Sequence, residues 1–287
     1  MGCAGGGQVN LSVLIPAHNE ASYIGPCLSA LLASEPFCSE TTCEVLVLAN
    51  GCTDATVQTA QTFQDQARAR GWTLRVLDLE QGGKLNALNC GDRAATGQIR
   101  VYLDADVTVD PDLLPQLATA LDTKVPCYAS GHPRVSLAKS WVTRTYARFW
   151  QKLPFLNEPA PGFGVFAMNA AGRARWTQWP DIISDDTFAR LQFTPSERIG
   201  VPAGYDWPMV EGFARLTRVR RRQNKGVEEI AERYPMLIPN QTPAPATTGQ
   251  IAPLALGDPL GFIIYALVAV AVKTPLFASQ TRWVRGR

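Results

Sequence analysis

The chain has 287 residues, 46% of them hydrophobic and 18% charged, which predicts an ordered globular protein with a substantial core. Its 27 lysines and arginines nearly balance 25 aspartates and glutamates, and the net charge is only +2. This balance gives no indication of nucleic-acid binding, and we expect no nucleic-acid partner. The seven cysteines form an odd set without a Cys-x-x-Cys pair, so we expect free thiols in a reducing cytosol.

The first half of the chain alternates short β-rich segments with helical segments. Strands are predicted at 11–15, 44–48, 73–77 and 99–103, and helices at 21–33, 54–70 and 85–95. Strands that alternate with helices are typical of a doubly wound α/β sheet with parallel strands. Ligands of such sheets bind beyond the carboxyl ends of the strands, so the loops after the strands contain the candidate site residues.

The second half of the chain has a looser pattern. Helices are predicted at 112–121, 137–152, 185–191, 210–222 and 227–233, and a strand at 162–168. Six prolines between residues 235 and 259 predict an extended linker rather than a packed element. The expected organisation is therefore an α/β domain at 1–234, a Pro-rich linker at 235–258 and an apolar tail at 259–287.

The predicted strand at 99–103 runs directly into Asp104-Ala105-Asp106. Two carboxylates separated by one residue can face the same cavity once the chain leaves the pleat of a strand. Their hard oxygens suit Mn²⁺ or Mg²⁺, which would bridge to the oxygens of a diphosphate. An isolated Asp-x-Asp pair is more often a simple turn, so this interpretation depends on the other segments.

Three polar loops accompany this pair. They are Pro16-Ala17-His18-Asn19-Glu20, Asn50-Gly51-Cys52-Thr53-Asp54 and Gly83-Lys84-Leu85-Asn86-Ala87-Leu88-Asn89. Glu20 can offer a carboxylate to a nucleoside, and Lys84 at a helix start can neutralise phosphate charge. The alternative for the first two loops is an ordinary strand-to-helix turn in which Asn19 or Asp54 caps a helix.

In this order, the four segments resemble the signatures of the family 2 glycosyltransferases of the GT-A fold, over residues 10–225. The resemblance implies a donor nucleoside-diphosphate-sugar and a Mn²⁺ or Mg²⁺ ion held by Asp106 with help from Asp104. It also implies a set of residues around the nucleotide-sugar: Pro16, Ala17, Asn19, Glu20, Asn50, Asp54, Lys84, Asp104 and Ala105. Family members often have an acidic residue where this chain has Asn50, so the base stays open, with UDP favoured over GDP.

Ser184-Asp185-Asp186 resembles the Glu-Asp motif of the same family, whose last acid is taken as the general base. The resemblance therefore assigns the base to Asp186, with Asp185 beside it. A sugar hydroxyl is a poor nucleophile, so a carboxylate must accept its proton during attack on the anomeric carbon. Attack opposite the departing diphosphate inverts that carbon. The alternative is that both acids simply favour a helix N-terminus.

Two sequence motifs of related enzyme classes are absent from this chain, which limits its function further. The Gln-x-x-Arg-Trp motif of processive family members has no counterpart near the arginines at 218 and 220–222, so non-processive transfer is expected. The first loop also lacks the Gly-rich, basic segment of nucleotidyltransferases. That class of enzyme stays an alternative, as does a non-catalytic membrane scaffold that binds sugar-nucleotides.

The segment from Leu260 to Val272 contains no charged residue. A membrane span needs about 20 apolar residues and would carry Lys273, Arg282, Arg285 and Arg287 across the bilayer, against the positive-inside tendency. An interfacial or re-entrant helix is therefore favoured, with a buried core helix as the alternative. The prediction is a cytoplasmic, peripheral or monotopic enzyme of glycan or glycolipid synthesis, with a sugar or lipid-linked acceptor and a membrane surface as partners.

Overall fold

The computed structural model describes residues 9–37, 41–242 and 247–277. Within them lie the strands β1 Val9–Ala17, β2 Thr41–Asn50, β3 Thr73–Leu79, β4 Ile99–Leu103, β5 Thr108–Val109, β6 Tyr128–Val135, β7 Val165–Asn169 and β8 Arg198–Trp207. The described cysteines are free thiols: Cys27, Cys43, Cys52, Cys90 and Cys127. Some residues of the sequence-based predictions lie outside the described ranges: Cys3, Cys38, Pro243, Pro245, Arg282, Arg285 and Arg287.

The helices cover both faces of the sheet and the carboxyl-terminal part of the chain. They are α1 Ile24–Leu32, α2 Thr56–Gln61, α3 Gln64–Ala69, α4 Lys84–Ala94, α5 Leu113–Leu121, α6 Trp141–Trp150, α7 Ala170–Arg173, α8 Asp185–Leu191, α9 Phe213–Arg233, α10 Thr248–Gly257 and α11 Pro259–Val272. Short 3₁₀ helices lie at Pro154–Asn157, Pro195–Glu197 and Pro235–Asn240.

All described strands belong to one mixed sheet in the order β3-β2-β1-β4-β7-β6-β8-β5. The first four of these strands are parallel, as predicted, and β7 pairs antiparallel with β4. Because β1, β2 and β4 are parallel neighbours, their carboxyl ends meet at one edge of the sheet. The loops that follow these strands therefore lie next to one another.

The two faces of the sheet bury separate apolar clusters. Val13 and Val47 pack on the face covered by α1 and α5, while Leu14 and Leu48 pack on the face covered by α4. Side chains alternate between faces along a strand, so a strand buried on both faces is apolar at every position. This explains why the parallel strands were recognisable as continuous apolar segments.

Several predicted boundaries are wrong. The helix predicted at 54–70 is divided into α2 and α3, and the helices predicted at 210–222 and 227–233 are a single helix, α9. The strands β5, β6 and β8 were not predicted. β5 has only two residues, His132, Pro133 and Arg134 interrupt the apolar pattern of β6, and glycine, proline and aspartate (Gly200, Pro202, Gly204 and Asp206) interrupt that of β8. Strand pairing in the tertiary structure overrides these local preferences.

The segment predicted as an extended linker is not extended in its described parts. It contains the 3₁₀ helix Pro235–Asn240 and then α10. The guanidinium of Arg198 donates hydrogen bonds to Thr242 Oγ1 at 3.0 Å and to the carbonyl oxygen of Asn240. Pro235 and Pro259 stand at helix starts, where proline is tolerated, but Pro239 and Pro253 lie inside the 3₁₀ helix and α10. Proline content alone therefore does not exclude helical structure. The three-part domain division itself stays a prediction.

One face of α11 packs onto α6 and α9. Ile264 and Val268 are buried there, and Phe262 contacts Phe149. The carboxylate of Asp258 accepts a hydrogen bond from Gly261 N at 3.0 Å, which caps the first turn, and forms a two-bond ion pair with Arg148. The helix is therefore anchored to the rest of the protein at its first turn.

The other end of α11 is held by α9. Arg221 donates hydrogen bonds to the carbonyl oxygens of Ala271, Val272 and Thr274, at 2.9, 3.1 and 2.8 Å. These are carbonyls at a helix end, which have no partner within the helix. Arg221, one of the clustered arginines of the sequence, thus has a structural role. Within the ranges that the structure describes, no helix is long and apolar enough to span a bilayer.

Candidate active site

Asn50, the last residue of β2, connects three of the predicted site loops. Its side-chain amide donates a hydrogen bond to the carbonyl oxygen of Ala17 at 2.8 Å, and its side-chain oxygen accepts one from Gly83 N at 3.0 Å. The residue is only 3% exposed, so these bonds form in a dry environment, where they fix geometry strongly. Asn50 therefore sets the spacing between the ends of β1 and β2 and the start of α4. A contact with the nucleotide base stays a prediction.

Asn19 connects the first loop to the second. It adopts a left-handed backbone conformation with φ 52°, which asparagine tolerates better than most residues. Its side-chain oxygen accepts hydrogen bonds from the backbone N–H groups of Thr53 and Asp54, at 2.6 and 3.3 Å. The structure thus gives Asn19 a role in shaping the loops, and a contact with the nucleotide-sugar stays a prediction.

The side chain of Asp54 is hydrogen-bonded to Thr56, the first residue of α2. Its carboxylate accepts hydrogen bonds from the backbone and hydroxyl of Thr56, at 3.0 and 2.5 Å, and from Ala21 N at 3.2 Å. Desolvation tends to raise the pKa of Asp54, but the hydrogen bonds from Thr56 and Ala21 outweigh it and hold the pKa below its usual value. Glu20 lies beside this group, with its backbone N–H bonded to Thr56 Oγ1 at 2.7 Å.

Gly51 allows the second loop to turn tightly against the third. Its φ is +60°, and a Cβ atom at this position would lie 3.2 Å from the backbone Cα of Gly82. Its N–H donates to the carbonyl oxygen of Leu79 at 2.7 Å. A side chain at residue 51 would be strained and would separate the two loops.

Asp104 and Asp106 flank a buried residue. Ala105 is 4% exposed and belongs to the apolar cluster on the face of the sheet covered by α1 and α5, while both aspartates are partly exposed. The backbone N–H of Asp104 donates to the carbonyl oxygen of Gly164 at 2.8 Å, which fixes the turn against the start of β7. With Ala105 packed inward, the neighbouring carboxylates project away from the core.

Lys84 brings the separate parts of the candidate site together. Its Nζ lies 3.0 Å from Asp104 Oδ1 and 3.0 Å from Asp185 Oδ2. Burial tends to lower the pKa of Lys84, but the carboxylates of Asp104, Asp185 and Asp186 raise it well above its ordinary value. The side chain therefore stays a cation at every physiological pH.

Asp185 is the buried member of the acid pair at the start of α8. Its side chain is 7% exposed, and burial raises the pKa of Asp185, assisted by Asp186 and Asp104 and opposed by Lys84. Asp186 is partly exposed, and its Oδ1 accepts a hydrogen bond from Thr187 N at 2.7 Å. The structure thus joins Asp185 to Asp104 through Lys84 and leaves Asp186 as the more accessible carboxylate.

Helix α9 packs against Ile183 and Ser184, the residues just before the acid pair, and this contact was not predicted from the sequence. Glu229 Oε2 accepts a hydrogen bond from Ile183 N at 2.9 Å. A Cβ atom at Gly226 would lie 2.1 Å from Ser184 Oγ, so only glycine lets α9 approach this closely. The single signal in the sequence was a glycine within a helical pattern.

The residues present fit a divalent cation that arrives together with a diphosphate. Asp104 and Asp106 offer hard carboxylate oxygens. Among the described residues no group of three or more His, Cys, Asp or Glu side chains could enclose a metal ion. Mg²⁺ is commonly bound by one or two carboxylates, with the remaining ligands from substrate phosphates and water. This donor set matches that mode of binding.

Residues 12–178 match the family model described as glycosyl transferase family 2. This chain is a family 2 glycosyltransferase. The matched region contains the three polar loops and Asp104-Ala105-Asp106, and it ends before Asp185. The roles of Asp185 and Asp186 therefore depend on the geometry described above and stay predictions.

Two curated relatives of this glycosyltransferase are named as lipid-phosphate sugar transferases. It is 27% identical over 121 residues to a dodecaprenyl-phosphate galacturonate synthase of Rhizobium johnstonii, covering 41% of this chain and 34% of the relative. It is 35% identical over 111 residues to a dolichyl-phosphate β-glucosyltransferase of Drosophila melanogaster, covering 37% and 33%. The matches thus span about a third of each relative's length.

Solved structures share the fold of this glycosyltransferase. A mannosyltransferase of Pyrobaculum calidifontis in complex with GDP-Man and Mn²⁺ has a TM-score of 0.58 at 18% identity, covering 96% of this chain and 77% of that one. S. aureus TarS 1-349 in complex with UDP has a TM-score of 0.50 at 16% identity, covering 70% and 61%. These likenesses show a GT-A glycosyltransferase fold.

The approach of α9 to the acid pair gives a testable prediction. Replacing Gly226 by alanine should push Ser184 and the adjacent Asp185 out of place and lower kcat by roughly 10- to 100-fold. Donor affinity, measured by titration, should change little. The double variant Gly226→Ala with Ser184→Gly removes the colliding atom and should recover most of the activity. An unchanged kcat in the single variant would contradict the supporting role of α9.

Proposed function

We propose that this enzyme transfers a sugar, with inversion and without processivity, from a nucleoside-diphosphate-sugar to a hydroxyl acceptor. The observation that carries the proposal is the position of Lys84 between Asp104 and Asp185. It places one cation between the carboxylates assigned to the donor and the acid pair assigned to the acceptor. The nucleophile attacks the same anomeric carbon that the diphosphate leaves. The carboxylates assigned to the donor and those assigned to the acceptor must therefore be adjacent.

The chain's own residues can perform the main steps. Lys84 can neutralise developing negative charge on the diphosphate, since it stays a cation. Asp186 accepts the proton of the attacking hydroxyl, and the partly exposed position of its carboxylate leaves it accessible to an acceptor. A Mn²⁺ or Mg²⁺ ion held by Asp104 and Asp106 would supply Lewis-acid stabilisation of the leaving group.

Calorimetric titration with UDP and with GDP, each with and without Mn²⁺, tests the donor side of this proposal. Binding that requires Mn²⁺ is expected, with UDP favoured over GDP. A panel of nucleotide-sugars, monitored by release of nucleoside diphosphate, then identifies the sugar. Absence of nucleotide binding would exclude sugar transfer. Release of pyrophosphate from a nucleoside triphosphate would favour the alternative of a nucleotidyltransferase, and binding without turnover would favour a scaffold.

A lipid phosphate is a second candidate acceptor. The names of the relatives specify dodecaprenyl phosphate and dolichyl phosphate. A phosphate oxygen is already anionic at neutral pH, so it needs no general base, whereas a hydroxyl does. The two acceptors are therefore distinguished by the dependence of the reaction on Asp186.

The outward face of α11 supports attachment to a membrane surface. Leu260, Ile263, Leu267 and Val270 are each at least half exposed, at 52, 51, 51 and 62%. Their spacing places them on one side of the helix, while the opposite side packs onto α6 and α9. Exposed Lys273 follows the helix, which suits a surface of anionic lipids. We therefore propose that the enzyme is a peripheral membrane protein, and its assignment to the cytoplasmic face stays a prediction.

This attachment is testable without removing the helix, whose inner face belongs to the core. Replacing Ile263 and Leu267 together by glutamine should weaken co-sedimentation with anionic vesicles about tenfold or more, because each buried aliphatic side chain contributes about 1.5–3 kcal/mol. The matched control is Val125→Gln, which replaces an apolar residue that is 62% exposed elsewhere. Equal loss in both variants, or no loss in either, would argue against attachment through α11.

A further inference from the structure

Asn89 lies in the middle of α4, five residues after Lys84. Its side-chain amide donates a hydrogen bond to the carbonyl oxygen of Trp179 at 3.2 Å, and its side-chain oxygen accepts one from the backbone N–H of Trp179 at 2.8 Å. An asparagine side chain has the donor and the acceptor of a peptide group, so it can pair with both backbone groups of one residue. Asn89 thus holds the main chain of Trp179 against α4.

Trp179 begins the segment of residues 179–184 that leads into the acid pair, which we name the acid-pair loop. Trp179 is only 3% exposed, so water is a poor replacement partner for its backbone groups. The next residue is Pro180, which has no N–H group to donate. The two bonds from Asn89 therefore fix the main chain at the point where the acid-pair loop starts.

The indole of Trp179 is held by the same helix. Its Nε1–H donates to Asp92 Oδ2 at 2.7 Å, and Asp92 Oδ1 accepts a hydrogen bond from Tyr102 Oη at 2.7 Å. Tyr102 belongs to β4 and lies two residues before Asp104. Helix α4 thus connects the acid-pair loop with the strand that leads into the Asp104 turn.

The far end of the acid-pair loop meets α4 again. Asp185 directly follows the loop, and its Oδ2 lies 3.0 Å from Nζ of Lys84, the first residue of α4. The helix is therefore in contact with this segment at Trp179 and at Asp185. Because a helix has a fixed rise of about 1.5 Å per residue, the distance between its two contact points is set. The position of the acid pair relative to the donor carboxylates is set with it.

The geometry points to Asn89 as a positioning residue for sugar transfer, which acts through Trp179 to set where the acid pair lies relative to Lys84. This inference rests on the proposed function, because it concerns the step in which Asp186 accepts the proton of the acceptor. In this role Asn89 contacts neither donor nor acceptor. Loss of its two hydrogen bonds displaces the acid-pair loop but removes no group that binds the diphosphate.

Asn89→Ala tests this role when kcat and donor affinity are measured separately. It should lower kcat for a hydroxyl acceptor by about 10- to 100-fold, because a displacement of about 1 Å has effects of this size. Calorimetric titration should give a donor affinity within about twofold of wild type, since uniform binding is not affected. The matched control is Gln178→Ala, which truncates an exposed amide next to Trp179 and should keep the wild-type kcat.

Asn89→Asp is the conservative variant. It keeps an oxygen that accepts from the backbone N–H of Trp179 and removes the amide donor, so its kcat should lie between those of wild type and Asn89→Ala. Because the side chain has nearly the same size, this variant also tests the role if Asn89→Ala folds poorly. A kcat equal to that of wild type in both variants would overturn the inference.

A double-mutant cycle with Asp186→Asn separates positioning of the acid pair from a general loss of structure. If Asn89 acts through the acid pair, adding Asn89→Ala to Asp186→Asn should lower kcat by less than about threefold further. Full multiplication of the two effects, or weaker donor binding with an unchanged kcat, would overturn the inference. Failure of the proposed function gives a different result, because wild type itself would then transfer no sugar from any donor, and that result would overturn both.

Discussion

Asp186→Asn is expected to lower kcat with a hydroxyl acceptor by about 10²–10⁴-fold, the usual contribution of a general base. Asparagine has nearly the same shape, but it cannot accept the proton of the attacking hydroxyl. Titration should show that the donor and Mn²⁺ still bind, because Asp104, Asp106 and Lys84 are unchanged. The measurement is initial rate against donor concentration, which separates kcat from KM.

Two comparisons make this result interpretable. Asp181→Asn changes an exposed carboxylate of the loop before α8 and should have nearly normal activity. A lipid phosphate supplied as acceptor should be used almost equally by wild type and Asp186→Asn, since its oxygen is already ionised. Retained turnover of a hydroxyl acceptor by Asp186→Asn would show that Asp186 is not the base.

Asp106→Asn is expected to abolish the Mn²⁺-dependent part of donor binding. Even changes to groups behind the metal ligands typically cost about 10- to 100-fold in metal affinity, so the loss of a carboxylate ligand should cost at least as much. Titration of Mn²⁺ in the presence of nucleoside diphosphate measures this directly. Turnover should fall in parallel, since the leaving diphosphate would no longer be stabilised.

The matched control for this variant is Asp112→Asn, which changes an exposed aspartate at the start of α5. It should bind Mn²⁺ and nucleotide normally. If Asp106→Asn also retained normal Mn²⁺-dependent binding, the assignment of Asp106 as a metal ligand would be wrong. Asp104→Asn would be a less selective test, since its carboxylate also pairs with Lys84.

The parallel half of the sheet was predictable because it depends on local pattern. Buried parallel strands need apolar residues at consecutive positions, and such segments are visible in any sequence. Strands β6 and β8 were not visible, because glycine, proline and charged residues within them are tolerated only through pairing with each other. The prediction of an extended proline-rich linker was wrong for a related reason: Pro235 and Pro259 begin helices, and α10 accommodates Pro253 in its interior.

For the site residues, too, some properties follow from the sequence alone and others only from the tertiary structure. The sequence by itself determined the family and the positions of the polar loops, since the spacing of motifs and their order along the chain do not depend on tertiary contacts. Tertiary structure decided which loop residues hold the loops together, as Asn19, Asn50 and Asp54 do, and that Lys84 pairs with both Asp104 and Asp185. It also decided that α9 supports the acid pair and that only one face of α11 is exposed. These properties depend on side chains that are distant in sequence, so no local pattern encodes them.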